Sequence, residues 1–383
     1  MSGVIDQSSP ILSAAPATSS PSWHVRRLRR LAELHELAPQ WQALAARAAE
    51  PNVFYEPWMM LPALELFHRT MPLEVYAVYR EEAGAQTLVG LLPFQRGRRY
   101  GLLPARYRRP LRYYFCALCT PLLDREHGAR AAQEAVTAMR GDGGITELAL
   151  IGGDGPVAEW LRRALHAGNV LEETRIDRAC YQPAGDYLSS TFRPDKRRDL
   201  RRLERRLTEL GELRYVSLQP TSDLEPWLDA FLTLEASGWK GRDRTALNGS
   251  AQSAAYFRRI CRTAHALGRL ELHALRLDDR NLAMICLLAA GGGLFALRTA
   301  YDERYARYSL GTLLSVWHTA GLQQRQPAPW IDSCSAPDNP LANLLWKDRR
   351  TLLGWRLASG AWASVLRGRS TVGSLLRSGG RAA

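Results

Sequence analysis

Two hydrophobic rhythms divide the chain. From Leu28 to Ala48, in "LRRLAELHELAPQWQALAARA", apolar residues return at the spacing of a helix with one buried face, and "PNVFYEPWMMLPALELF" continues as aromatic loop and short helix. The rhythm then changes. "LEVYAVYR", "TLVGLLPFQRGRRYGLLPARYRRPLRYY" and "ITELALIGG" alternate or run apolar over strand lengths, punctuated by Gly and Pro, with a helical "ARAAQEAVTAMR" before the last of them. From Tyr187 a similar order returns. It reads as helix "PDKRRDLRRLERRLTELG", strand "LRYVSL", helices "DLEPWLDAFLTLEASGW" and "SAAYFRRICRTAHALG", strand "LELHALRL", strands around Gly291–Gly293, a helix after Gly311 and strand "PWIDSC". Strands flanked by helices predict an α/β chain of mixed α+β character, its mixed sheet covered on its faces. The repeated order predicts two tandem copies of one fold, at 23–180 and 181–360, between a tail at 1–22 and a basic tail at 361–383.

Composition alters this picture little. A chain of 383 residues can build two proper cores without disulfides or structural metal. Its longest apolar stretch, "NLAMICLLAAGGGLFAL", is broken by Gly291, Gly292 and Gly293 and falls short of the roughly 20 residues a spanning helix needs, so it reads as two strands and a turn. The first 22 residues are rich in Ser, Pro and Ala and lack a basic stretch ahead of an apolar one, which predicts a disordered tail and a cytoplasmic protein. Six cysteines lie mostly within apolar stretches, and "CALC" at 116–119 has no second ligand pair at finger-like distance. Buried thiols are expected there, and no metal. None of the eight histidines has a partner at metal or triad spacing; His273 falls in a strand and His318 in a helix.

Charge is more informative. Lys and Arg outnumber Asp and Glu by 51 to 38, a net +13, which fits an anionic partner. Only Lys196, Lys240 and Lys347 are lysines, and an Arg excess in an Ala- and Leu-rich chain fits a coding bias equally well. Between Arg193 and Arg206, eight basic residues face three acidic ones around a leucine stripe at Leu200, Leu203, Leu207 and Leu210. A solvated face is the ordinary fate of such a run, and contact with RNA, anionic lipid or acidic glycan is the other.

The segment "LRTAYDERYARYSLGTLL" places a strand, a loop and a helix start in succession. A helix N-terminus leaves four N–H groups unpartnered and carries roughly half a positive charge, so it suits an anion. Gly311 would let a ligand approach the main chain, Arg304 and Arg307 would pair with phosphate oxygens, and Ser309 would add a donor. An ordinary connection, with Ser309 as cap and Gly311 as turn residue, fits the same letters.

A resemblance bears on that choice. From about Ser190 to Trp355, "FRPDKRRDLRRLERRLTELGEL", "FLTLEASGWKGRDRTAL", "AYFRRICRTAHALGRLELHALRLDD", "LRTAYDERYARYSLGTLL" and "DNPLANLLWK" resemble the acetyltransferase domain of the CelD-type proteins found with exopolysaccharide and cellulose synthesis, a branch of the GNAT acyltransferases. The most specific blocks are "GWKG" and "AYDERYARYSLGTLL". The resemblance implies two tandem GNAT-like domains, the first a degenerate copy shaping the acceptor cleft. It also implies acetyl-CoA as co-substrate, its pyrophosphate held by Arg307, Tyr308, Ser309, Gly311 and Thr312, with Arg304 beside them. Direct transfer from the thioester to an amine or hydroxyl of a small-molecule or glycan acceptor needs positioning and one proton acceptor rather than a covalent intermediate. Asp332, on the strand across the expected cleft, fits that base with a raised pKa, or a structural carboxylate bonded to backbone N–H. Trp239 and Lys240 would cover the acceptor cleft, or Trp239 would pack in a domain seam; Lys347 would reach a CoA phosphate or an anionic acceptor, or stand as an exposed helix lysine. Two departures stand out: Leu310 replaces the usual proline, and "SCSAPDNP" replaces a glycine-rich approach to the late lysine.

The same architecture would also serve a Fem-type transferase taking its aminoacyl group from tRNA, gripped by the basic helix. A non-catalytic basic adaptor on nucleic acid or anionic membrane is the third reading. In the tail, Trp362, Val365 and Leu366 with Arg367, Arg369 and Arg377 would suit a peripheral membrane contact, or docking on the parent domain.

Overall fold

The chain joins its sheet one element earlier than the periodicity predicts. Strand β1 (Ser22–Leu28) pairs antiparallel with β2 (Leu73–Glu82), where the sequence reading places only the end of a tail and a helix start. As an edge strand it is half-exposed and tolerates Arg26 and Arg27, which hide its alternation. The computed structural model describes residues 20–166, 170–238, 246–358 and 362–364.

Helix α1 (Leu31–Arg47) buries Leu34, Leu37, Trp41 and Leu44, and the Glu33 carboxylate accepts the N–H groups of Arg29 and Arg30 at 2.9 and 2.8 Å to secure its first turn. Helix α2 (Pro57–Phe67) starts on a proline, whose missing N–H costs nothing there. The first half continues with β3 (Ala85–Gly97), β4 (Tyr107–Pro110), β5 (Leu122–Leu123), α3 (Gly128–Gly141), β6 (Ile145–Gly152), α4 (Pro156–His166) and β7 (Val170–Tyr181). In the second half come α5 (Tyr187–Thr191), α6 (Pro194–Thr208), β8 (Leu213–Ser217), α7 (Glu225–Ser237), α8 (Ala251–Ala266), β9 (Leu270–Leu277), β10 (Arg280–Ala290) and β11 (Gly293–Tyr301). The last elements are α9 (Leu310–Leu322), β12 (Trp330–Asp332), α10 (Pro340–Leu345) and β13 (Asp348–Ala358). The turn between β10 and β11 uses Gly291 and Gly292 at φ 54° and 77°, so the glycine triplet is a hairpin as predicted.

The strands form one 13-stranded sheet in the order β1-β2-β3-β4-β6-β13-β7-β12-β11-β10-β9-β8, with β5 against β3. Among the described strands only β4 with β6 and β11 with β12 run parallel, and each of these pairs is joined by a crossover containing a helix, α3 or α9. The two halves are thus copies arranged about the sheet centre. Their end strands are exchanged: β7 lies against β12 of the second half, and β13 lies between β6 and β7. Residues 348–358, expected inside the second unit, therefore complete the sheet of the first. One core layer, containing Trp41, Phe54, Phe231, Tyr256 and Phe257, unites α1 and α2 with α7 and α8; on the opposite face α3 and α4 cover the first half, and α6 and α9 the second.

Candidate active site

Strands β11 and β12 pair only from Gly293 with Trp330 to Phe295 with Asp332. Beyond that point they part, and β11 continues from Ala296 to Tyr301 with no β12 residue opposite it. Ala296, Leu297, Arg298 and Thr299 are half-exposed there, although β11 lies in the interior of the sheet. The β10–β11 ladder also changes register at this place. Cys286 faces Arg298 and Leu287 faces Ala296, so Leu297 is the extra residue of a β-bulge. The sequence carries no signal for this bulge, and Leu297 was absent from the expected site.

At the far end of the split stands the N-terminus of α9. The 3-10 turn Glu303–Tyr308 leads into Ser309, which adopts the left-handed conformation (φ 53°, ψ 45°), and no side chain caps the helix. Ser309 is therefore not the ordinary cap its position allowed. No acceptor among the described residues meets the N–H groups of Leu310, Gly311 and Thr312. A side-chain carbon built on Gly311 would find Leu341, Thr299 and Tyr301 at 3.8–4.0 Å, so the tip stands over the unpaired half of β11. Tyr308 is buried below it, and Arg307 lies on its ring at 4.8 Å with Nη2 donating to the phenol oxygen at 2.9 Å. Thr312 is buried in the first turn. Arg304 departs from expectation: its guanidinium is fixed on Asp302, with Nη2–Oδ2 at 2.6 Å, so an internal carboxylate takes the place expected for phosphate.

On the other face of the sheet the split opens into a cavity of about 450 Å³ between the halves. Leu297 and Arg298 of β11, Arg178 of β7, the loop Arg112–Ala117 and Cys334–Pro337 line it. Arg298 donates to the buried Glu235 at 2.5 Å and lies over the Phe115 ring at 5.6 Å. Six non-glycine residues among those described have positive φ; Phe115, Leu150 and Cys334 line this cavity and Ser309 is at the tip. Backbone strain of this kind persists only where the surroundings over-determine it, and it gathers at functional sites.

Asp332 corrects the expected base. Its side chain is fully buried, accepting from Arg178 Nη2 at 2.5 Å, Arg350 Nη1 at 2.8 Å and the Cys334 N–H at 2.9 Å. Burial alone would raise its pKa, but the two guanidinium groups and the N–H overcome this and hold the carboxyl below its usual range. It is a structural anion that ties β12 to β7 and β13. Burial pushes the neighbouring Cys334 thiol up, so it remains a thiol rather than an activated nucleophile. Arg178 also donates to the Ala117 carbonyl at 2.6 Å, while its Nε is buried with no partner among the described residues.

Other expected residues lie apart from this site. Lys347 is exposed and donates to the Asn343 carbonyl at 2.9 Å, closing the end of α10, and it does not line the cavity. Trp239 and Lys240 lie outside the described residues, as do Val365, Leu366, Arg367, Arg369 and Arg377. Trp362 packs beside Ala105, Ile145 and Ala358 rather than standing free. On the basic helix, Leu200, Leu203 and Leu207 are buried but Leu210 is exposed; Asp199 pairs with Lys196 and Arg202. Cys116 and Cys119 are buried free thiols. No helix among the described residues is long and apolar enough to cross a membrane.

Comparison with known proteins agrees with this geometry. Residues 194–331 match the acetyltransferase (GNAT) domain family. No curated protein sequence matches the chain. Among solved structures, FemX aligns with a TM-score of 0.51 and 11% identity, over 83% of this chain and 95% of its own. A conserved protein of unknown function from Bacteroides thetaiotaomicron VPI-5482 aligns with a TM-score of 0.50 and 11% identity, over 85% and 97%. A tandem GNAT protein from the clavulanic acid biosynthesis pathway aligns at 0.41 with 15% identity, over 88% and 99%. The chain thus joins two mirrored sheet halves, each holding one parallel strand pair, and its second half contains, around the split, a segment similar to the acetyltransferase (GNAT) domain.

Proposed function

We propose that the chain is an acyl-CoA-dependent acyltransferase that uses acetyl-CoA and modifies an amine or hydroxyl of a sugar precursor of a surface polysaccharide, as its resemblance to the CelD-type proteins implies. One observation carries this reading: the β11–β12 split connects an uncapped helix tip on one face with a cavity between the halves on the other. A diphosphate at the tip would receive the N–H groups of Leu310, Gly311 and Thr312 and the Arg307 guanidinium. An extended chain from it would run along the half-exposed edge of β11 and bring a thioester to Leu297. The main-chain N–H at that bulge would then face the carbonyl oxygen as it gains charge.

The acceptor enters from the cavity side. Its nitrogen or oxygen attacks the thioester carbon, the C–S bond breaks, and the proton it sheds passes through water to the departing CoA thiolate. The buried Arg178 Nε–H and the exposed Arg112 offer donors to an acceptor carrying hydroxyl or anionic groups, and Tyr114 and Phe115 offer an aromatic wall for a sugar face. The first half thereby supplies much of the acceptor's surroundings. Calorimetry with acetyl-CoA, desulfo-CoA and charged tRNA tests the reading on the full chain. Micromolar or tighter binding of both CoA ligands is expected; binding of charged tRNA with no CoA binding would replace it by the aminoacyl-tRNA reading, and binding of neither would leave a non-catalytic role.

A further inference from the structure

The sequence offers no pair of histidines at metal spacing, yet the fold brings two together. Glu271 and His273 are two apart on β9 and so share its face toward α9, and His318 looks back at them from that helix. His273 Nε2 and His318 Nε2 lie 3.2 and 3.1 Å from the same oxygen, Glu271 Oε2, with ring centroids 4.4 Å apart. All three ligand atoms fall within 4.8 Å of one another. Around a tetrahedral zinc ion with bonds of about 2.0–2.1 Å, ligand atoms stand roughly 3.3 Å apart, so the two carboxylate–imidazole separations already fit and the two imidazole nitrogens, within 4.8 Å of each other, would close onto the ion.

The surroundings orient these three groups as ligands. Ser217 Oγ lies 2.8 Å from His273 Nδ1 and can accept the hydrogen bond of its N–H, which leaves the Nε2 lone pair turned inward. Arg325 grips the carboxylate with both nitrogens, Nη1 to Oε1 at 2.5 Å and Nη2 to Oε2 at 3.2 Å, so a cation at Oε2 would replace the longer of the two contacts. Trp317 meets His273 edge-on at 5.9 Å, and Tyr215 stacks on Trp317 at 5.1 Å, covering the cluster from one side. His273 and His318 are 5% and 4% exposed, whereas Glu271 lines a second cavity of about 880 Å³, which supplies a path for an ion and room for a water ligand.

We propose that Glu271, His273 and His318 bind one divalent cation of the zinc type, which pins α9 to β9 roughly two helical turns below the acyl-carrier tip. Two imidazoles and one carboxylate with one open position suit Zn²⁺, and the ion would set the tilt of the helix whose N-terminus faces the split. This site is independent of the acyl-transfer reading. The test is titration of the chelator-stripped full chain with ZnCl₂ by calorimetry, followed by Co²⁺ as a spectroscopic probe. One Zn²⁺ per chain, a rise in melting temperature at saturation and the intense visible bands of four-coordinate Co²⁺ are expected. His318→Ala and His273→Ala should abolish uptake, Glu271→Gln should weaken it strongly, and Ser217→Ala should weaken it about tenfold. A folded wild-type chain that takes up no Zn²⁺ at micromolar concentration overturns the proposal, whatever the variants do. So does one equivalent that binds unchanged in the His273→Ala/His318→Ala double variant.

Discussion

At the scale of single residues, two arginines three positions apart have opposite fates. Arg304 is fixed on Asp302, whereas Arg307 rests on a tyrosine ring beside the open helix tip. Arg307→Ala should weaken CoA binding by about 10- to 100-fold, the worth of a charge-assisted hydrogen bond to phosphate, while Arg304→Ala should leave it nearly unchanged. Titration of both variants with desulfo-CoA decides the matter, and equal losses would show that Asp302 releases its partner to the ligand. Asp332 yields a different expectation. Asp332→Asn leaves Arg178 and Arg350 without their shared counter-charge and should cost about 3–5 kcal/mol in urea denaturation. Because its folded pKa is depressed, the stability from Asp332 is fully present above the ordinary carboxylate value and is lost as pH falls through the lower folded value. Wild-type stability should therefore fall more steeply than that of Asp332→Asn below about pH 4. Parallel curves there would mean that Asp332 has an ordinary pKa.

At the scale of elements, the site depends on a residue that sequence alone could not single out. Leu297 is one apolar letter in an apolar strand, and only the register against β10 shows it to be extra. Leu297→Pro removes its N–H at a bulge, where proline is tolerated, and should lower kcat by about 10²- to 10³-fold with CoA affinity retained. Unaltered turnover would place the oxyanion donor elsewhere. The helix tip was legible because Ser309, Gly311 and the following apolar run form a local pattern, and local patterns survive in sequence. The glycine hairpin was legible for the same reason. β1 was missed because an edge strand can carry arginines, and β13 because "DRRTLLGWRLA" opens with charges that serve distant partners. Asp332 was placed on the correct strand but given the wrong charge environment: Arg178 comes from β7, which becomes its neighbour only through the exchange, and Arg350 from β13 on the far side of β7.

That exchange governs the whole molecule. A pair of independent domains joined by a linker would unfold one at a time, each with its own midpoint. Here β13, the last of the described strands, is laddered to β6 on one side and β7 on the other, and β7 reaches β12 across the middle of the sheet. Tyr256 of the second half donates to the Met59 carbonyl of the first at 3.0 Å inside a shared core. Arg269 holds Glu56 through two hydrogen bonds of 2.6 Å across the same boundary. Neither half can open its sheet without stripping a strand from the other, so thermal unfolding followed by far-UV and near-UV circular dichroism should give one coincident transition. Ending the chain after Lys347 removes β13 and bares the inner edges of β6 and β7 together, which invites intermolecular strand pairing. That truncated chain should aggregate or lose its cooperative transition, although every residue of the helix tip remains. A monomeric truncation with the wild-type melting profile would show that the halves stand alone, and the cavity between them would then lack the rigid frame that the proposed transfer requires.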